Sequence, residues 1–127
     1  ALAAGISFYA GYPISPATPI LVAMERNLVA EGQFAYQASS EIEAINAVIG
    51  GGFTGKKAMT ATSGPGLSLM SEAIGMAWMT EIPFVVVNVQ RGGPATGLPT
   101  KTEQSDFQLA LHPAHGDSDG RDGGDLQ

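Results

Sequence analysis

The chain has 127 residues, of which 44% are apolar and 14% are charged, and its formal net charge at pH 7 is -6. This length suits one domain with a real core. Six Lys and Arg residues against twelve Asp and Glu leave no basic stripe, so nucleic acid is not expected as a partner. The absence of cysteine excludes disulfides and thiolate-bound iron–sulfur clusters from this chain. Because so little of the surface is charged, we expect a partner to cover part of it.

The sequence carries no signal for a membrane. No apolar run reaches the roughly 18 residues that a spanning helix needs, and no charged segment followed by an apolar stretch marks a secretion signal. Residue 1 is Ala rather than Met, and we interpret the sequence as an internal piece of a longer polypeptide.

The predicted elements alternate between strands and helices. Residues 6–12 predict a strand that ends at Pro13. Ser15 before Pro16, or Thr18 before Pro19, then provides an N-cap followed by proline, the favoured opening of a helix. This helix is expected to end near residue 32, and residues 34–37 predict a second strand.

The second half of the pattern repeats the first. Ser40 and Glu43 form the capping-box spacing S-x-x-E before a helix, in which residues 50–52 (Gly-Gly-Gly) either end the helix or permit close packing. A third strand is predicted over 57–62 and a third helix over 67–79. The predicted buried face of that helix consists of Leu69, Met70, Ala73, Ile74, Ala77 and Trp78. Residues 84–89, all apolar except Asn88, are typical of a central parallel strand buried on both faces.

This alternation predicts an α/β fold, a parallel sheet with helices on both faces, forming part of a domain. In such sheets ligands bind beyond the carboxyl ends of the strands. Four unusual segments follow the predicted strands there: residues 12–15, the segment at Glu41, residues 63–66 (Ser-Gly-Pro-Gly) and residues 90–94. The last two contain glycines, so each is either a tight connection or a place where a ligand approaches the backbone.

Three side chains in these segments are candidates for chemistry. Glu41 begins a helix beside apolar residues, where its carboxylate either complements the helix dipole or shares a proton with a heterocyclic nitrogen. Arg91 follows the buried strand and precedes two glycines, a position suited to binding a carboxylate, although a solvated loop arginine is the alternative. Ser15 is either a plain N-cap or a ligand for the same anion.

Four stretches together resemble a known family: GYPISPATPI, SSEIEAINAVIG, TATSGPGLSLMSE and VNVQRGGPATGLPTKTEQSD. They closely resemble the α subunit of 2-oxoacid:ferredoxin oxidoreductases, in particular the subgroup that acts on 2-oxoglutarate. The resemblance runs from residue 5 to about residue 111 and falls on the pyrimidine-binding domain for thiamine diphosphate.

The resemblance implies specific roles. Glu41 would pair with N1′ of the aminopyrimidine of thiamine diphosphate, and residues Ser63, Gly64, Pro65 and Gly66 would contact the cofactor. Arg91 would bind the substrate carboxylate, and Ser15 stands where the family usually has threonine. The implied reaction is the oxidative decarboxylation of a 2-oxoacid to its acyl-coenzyme A with electrons passed to ferredoxin, in a cytoplasmic enzyme.

The chain departs from a complete enzyme in two ways. It has no G-D-G followed by Asn for Mg²⁺ and diphosphate, and it has no cysteines. In the family both the Mg²⁺ site and the iron–sulfur cluster belong to the β subunit or to another domain, so the chain is expected to hold no metal and to be inactive without that partner.

Two other functions stay open at this level. One is a non-oxidative thiamine diphosphate decarboxylase or synthase, and the other is a catalytically silent assembly module. The domain is expected to cover residues 1–112, and we interpret residues 113–127, rich in Asp and Gly, as a disordered or artefactual tail.

Overall fold

A computed structural model of the chain describes residues 1–116. Of the predicted tail, 113–127, residues 117–127 lie outside the described residues. A short 3₁₀ turn, Leu2–Ala4, comes first. The strands are β1 (Phe8–Gly11), β2 (Phe34–Gln37), β3 (Ala58–Thr62) and β4 (Val85–Asn88). The helices are α1 (Thr18–Ala30), α2 (Glu41–Phe53), α3 (Gly64–Met79) and α4 (Phe107–Leu111).

The four strands form one parallel sheet in the order β2-β1-β3-β4. Helix α1 covers one face and helices α2 and α3 cover the other, which confirms the predicted class of fold. Because all four strands run in the same direction, the segments that follow them meet at one edge of the sheet.

The core consists of one layer on each face of the sheet. On the first face, Tyr9 of β1 packs against Leu21, Met24 and Leu28 of α1. On the opposite face, α2 and α3 pack on each other, and the residues buried there include Ile45, Ile49, Leu67, Met70 and Ala77. Successive side chains along a strand point to opposite faces of the sheet, so each strand contributes residues to both layers.

Helix α2 passes through its glycines instead of ending at them. Gly51 lies against the ring of Phe8, since an added Cβ would lie 2.8 Å from Phe8 Cγ. A Cβ added to Gly52 would lie 2.6 Å from the carbonyl oxygen of Pro83, in the segment before β4. Close packing was therefore the right one of the two alternatives for this stretch.

Strand β4 differs from its prediction. Among residues 1–116 it lies at the edge of the sheet, and Val85 is half exposed, whereas β3 is buried along its whole length. An apolar run indicates a strand that is covered on its faces, but it carries no information about the order of strands.

None of the helices in the described part of the chain combines the length and apolarity needed to cross a bilayer.

Candidate active site

Glu41 is the first residue of α2 and lies directly beyond the end of β2. Its neighbour Ser40 is the N-cap, and Ser40 Oγ accepts a hydrogen bond from the backbone N–H of Glu43 at 3.1 Å. This cap fixes the start of the helix. Glu41 is thereby turned inward and is only 7% exposed, although it carries an ionisable group.

The carboxylate of Glu41 lies against Gly66 in the first turn of α3. A Cβ built on Gly66 would lie 2.8 Å from Glu41 Cγ and 3.1 Å from Glu41 Oε1, and it would overlap Thr62 Oγ1. Gly66 therefore has no side chain because Glu41 and Thr62 occupy that space. The structure brings Glu41 and the Ser-Gly-Pro-Gly segment together, as the sequence predicted.

The Glu41 side chain has no polar partner in the part of the chain that the structure describes. Within residues 1–116 its carboxylate makes no hydrogen bond and no ion pair. Nearby Glu43, by contrast, accepts hydrogen bonds from the backbone N–H of Ser39 at 2.6 Å and from the Ser39 hydroxyl. A carboxylate that is largely removed from water and left unpaired is suited to a hydrogen-bond donor supplied by a ligand.

The hydrogen bonds of Glu43 also affect its electrostatics. The hydrogen bonds from the Ser39 side chain and backbone hold the pKa of Glu43 below its ordinary value. Burial, followed by the charge of Glu43 and a hydrogen bond to it at 3.4 Å, raises the pKa of Tyr36. Glu43 is thus occupied by a local structural network on the surface, which leaves Glu41 as the carboxylate available for a ligand.

The segment Ser63–Gly66 is not a separate turn before the helix. Helix α3 begins at Gly64, three residues before the predicted start, with Pro65 in its first turn, where the missing N–H of proline costs nothing. Ser63 is the N-cap residue, but its hydroxyl is fully buried and has no hydrogen-bond partner among the described residues.

Arg91 and Ser15 come together from two different strand ends. The guanidinium Nη1 of Arg91 donates a hydrogen bond to the backbone carbonyl of Ser15 at 2.7 Å. Arg91 is 6% exposed, and its Nε has no partner within residues 1–116. Ser15 itself is exposed at its side chain and caps no helix, because a turn at Ile14 precedes α1 and places Ala17 at the N-cap. The predicted N-caps Ser15 and Thr18 are therefore wrong.

A cavity of about 400 Å³ separates the start of α3 from the loop after β4. Gly64 and Pro65 line one wall, Arg91 and residues 92–95 line another, and Glu103 and Asp106 close it. Glu41 and Ser15 do not line this cavity. The first turn of α3 thus faces Glu41 through Gly66 and faces the arginine through Gly64 and Pro65.

Two residues at this edge were not among the candidate site residues predicted from the sequence. Asn88 at the end of β4 donates from Nδ2 to Asp106 Oδ2 at 2.9 Å, across 18 positions of sequence. Asp106 is 9% exposed and lies over Gly64. A polar residue ending an otherwise apolar strand was a visible signal for Asn88, but nothing local marked Asp106.

Comparison with known proteins gives a consistent result. The family model for pyruvate flavodoxin/ferredoxin oxidoreductase, thiamine diphosphate-binding, matches residues 1–119. The 2-oxoglutarate synthase subunit KorA of Methanocaldococcus jannaschii is 55% identical over 117 residues, which is 92% of this chain and 32% of that relative. The 2-oxoglutarate oxidoreductase subunit KorA of Mycobacterium tuberculosis is 49% identical over 111 residues, 84% of this chain and 16% of that protein.

A solved structure has the same fold. The 2-oxoglutarate:ferredoxin oxidoreductase from Magnetococcus marinus, with 2-oxoglutarate, coenzyme A and succinyl-CoA bound, superposes with a TM-score of 0.88 at 54% identity. The match covers 92% of this chain and 20% of that one. The chain therefore spans about a third or less of the length of these relatives. From its motifs, its fold and these matches, the chain belongs to the thiamine diphosphate-binding family of pyruvate flavodoxin/ferredoxin oxidoreductases.

Proposed function

We propose that the chain is the pyrimidine-binding part of the α subunit of a cytoplasmic, thiamine diphosphate-dependent 2-oxoacid:ferredoxin oxidoreductase. Its reaction is the oxidative decarboxylation of a 2-oxoacid, with 2-oxoglutarate favoured, to the acyl-coenzyme A, and its electrons go to ferredoxin. The names of the relatives, which are 2-oxoglutarate synthase and oxidoreductase subunits, support this choice of substrate.

The observation that carries the proposal is the state of Glu41. Its carboxylate is nearly buried, unpaired among the described residues, and pressed against Gly66. Such a group fits the aminopyrimidine of the cofactor, because it can hold the proton that it shares with a ring nitrogen away from water. When bound, thiamine diphosphate supplies the electron sink that decarboxylation of a 2-oxoacid requires.

The remaining residues orient the reactants. Arg91 would bind the substrate carboxylate with the guanidinium edge that has no protein partner, and the carbonyl of Ser15 would hold that guanidinium in place. The residues that would contact the cofactor through their backbone are Ser63, Gly64, Pro65 and Gly66, since the Ser63 hydroxyl is buried.

The β subunit completes the active site in this proposal. It would hold Mg²⁺ and the diphosphate of the cofactor and carry the iron–sulfur cluster, since this chain has no cysteine. Coenzyme A and ferredoxin would bind to the whole complex. The chain alone would then be inactive.

The proposal is tested on the complete α subunit assembled with its β partner. We expect a panel of 2-oxoacids, given coenzyme A and thiamine diphosphate, to reduce ferredoxin or a viologen dye, with 2-oxoglutarate giving the largest kcat/KM. The α subunit without β should give none. An assembled complex that stays silent with every 2-oxoacid would contradict the proposal and favour an assembly module. Release of free aldehyde as the main product without any oxidant would instead indicate a non-oxidative decarboxylase.

A further inference from the structure

A side-chain pair closes the base of the loop that carries Arg91. Asn88 is the last residue of β4, Asp106 immediately precedes α4, and the two are joined at 2.9 Å from Nδ2 to Oδ2. The pair therefore ties together the two ends of the loop 89–105, which forms two walls of the cavity at the start of α3.

Asp106 also lies against the start of α3. A Cβ on Gly64 would lie 3.0 Å from Asp106 Oδ2 and 3.3 Å from Asp106 Cβ, so the carboxylate lies over the first residue of the helix. Negative charge is favourable at a helix N-terminus. One carboxylate at the end of the loop thus accepts a hydrogen bond from β4 and lies against the start of α3.

Two oxygen atoms of the pair carry a cost in stability. Asp106 Oδ1 and Asn88 Oδ1 are both buried and have no partner among residues 1–116. Leaving buried polar atoms unpaired costs free energy, and apolar residues of similar volume often serve stability better than buried charge. A polar pair that is present despite this cost is suited to holding the two ends of the loop in a fixed position.

Arg91 is the candidate site residue that lies nearest to Asn88 in the chain. It lies three residues after Asn88, and its guanidinium makes one side-chain hydrogen bond within the described residues, to the carbonyl of Ser15. Arg91 and Asp106 line the same cavity, and both are at least nine-tenths buried. The guanidinium is thus shielded from water in a loop whose two ends the Asn88–Asp106 hydrogen bond joins.

We propose that Asn88 and Asp106 are positioning residues, which hold the loop 89–105 closed and so keep the Arg91 guanidinium dry and in place. This inference rests on the proposed function of Arg91 in binding the substrate carboxylate. The pair itself touches neither cofactor nor substrate in this account.

The test exchanges the two side chains in the complete enzyme complex. Asn88→Asp alone places two carboxylates at the base of the loop, which repel each other or must share a proton. Asp106→Asn alone keeps a carbonyl oxygen that can accept from Asn88. The double variant Asn88→Asp/Asp106→Asn restores an amide–carboxylate pair in the reverse sense. Of the four combinations, only Asn88→Asp alone places two carboxylates together with no amide to donate between them.

We expect Asn88→Asp alone to raise the KM for the 2-oxoacid about tenfold while kcat changes less than about threefold. The reason is that the guanidinium binds the substrate carboxylate equally in the ground state and in the transition state. Asp106→Asn and the double variant should both keep a KM within about threefold of wild type. Arg91→Ala serves as the reference for complete loss of the guanidinium, and its KM should be the highest of the series. A double variant as impaired as Asn88→Asp, or an Asn88→Asp variant with unchanged KM, would overturn the inference.

A matched control and a second measurement separate this inference from the proposed function. Gln104→Glu adds a carboxylate in place of an amide at an exposed position of the same loop, and its KM should equal that of wild type. Hydrogen–deuterium exchange of residues 92–105 in the complex should accelerate in Asn88→Asp and return to the wild-type rate in the double variant. This measurement decides the role of the pair even if the complex has no 2-oxoacid activity. Unchanged exchange in Asn88→Asp, or equal acceleration in Gln104→Glu, would overturn the inference.

Discussion

At the residue scale, the site depends on a close contact between Glu41 and Gly66. The spacing of the capping box predicted where Glu41 stands, and the family resemblance predicted its role. The sequence could not show that Gly66 is small because Glu41 and Thr62 fill the space beside it. A ligand approaching the backbone of residues 63–66 stays a prediction, and at Gly66 the space of a side chain is taken by Glu41 and Thr62.

This contact predicts the effect of Gly66→Ala. The added methyl would collide with Thr62 Oγ1 and displace the Glu41 side chain, so we expect a loss of about 1–3 kcal/mol in the free energy of unfolding. Activity of the complex should fall with it, because the carboxylate is moved. Thermal unfolding and the viologen assay measure the two effects.

Gly50→Ala serves as its control. Gly50 lies inside α2 with no atom within 4 Å of an added Cβ. Alanine should therefore raise stability by up to about 1 kcal/mol and leave activity unchanged. If Gly66→Ala behaved in the same way, the contact with Glu41 would have no functional role.

At the scale of elements, the sequence predicted four strands and three main helices in the right order, and boundaries and exposure were the weaker part. Helix α3 begins at Gly64 because glycine and proline suit a first turn, although both argued for a turn outside the helix. Leu69 was assigned to the buried face, but it is 52% exposed, whereas Leu67 is buried. The start of a helix determines which of its side chains face the sheet, so an error in the predicted start shifts the predicted buried face. Asp106 and Asn88 could not be paired from sequence, since only the fold brings them together.

The first turn of α2 gives a prediction about pH. The pKa of Glu43 is lowered by hydrogen bonds from Ser39, so this carboxylate stabilises the folded state above its ordinary pKa near 4.5, and the contribution disappears as pH falls through the lowered value. Glu43→Gln should therefore be less stable than wild type at neutral pH. The difference should shrink as the pH drops below about 4.5. Thermal unfolding of the complex from pH 7 down to pH 3 measures it, and a difference that is constant with pH would contradict the assignment.

At the scale of the molecule, four strand ends bring their loops to one edge, and this was predictable from the alternation of strands and helices alone. The opposite edge carries exposed apolar side chains, with Phe53 at the end of α2 79% exposed and Met79 at the end of α3 78% exposed. The expectation that a partner covers part of this weakly charged surface stays a prediction. In the proposed function, the edge with Glu41 and Arg91 supplies one portion of a site, a buried carboxylate and a cation.

The most direct measurement compares Glu41→Gln with Glu43→Gln in the assembled complex, using 2-oxoacid-dependent dye reduction. Both substitutions remove one carboxylate from the first turn of α2, but only Glu41 is buried against Gly66. We expect Glu41→Gln to lower kcat by at least about a hundredfold while assembly with the β subunit is retained, and Glu43→Gln to stay within about twofold of wild type. A Glu41→Gln complex that keeps wild-type activity would contradict the central claim that this carboxylate serves the cofactor.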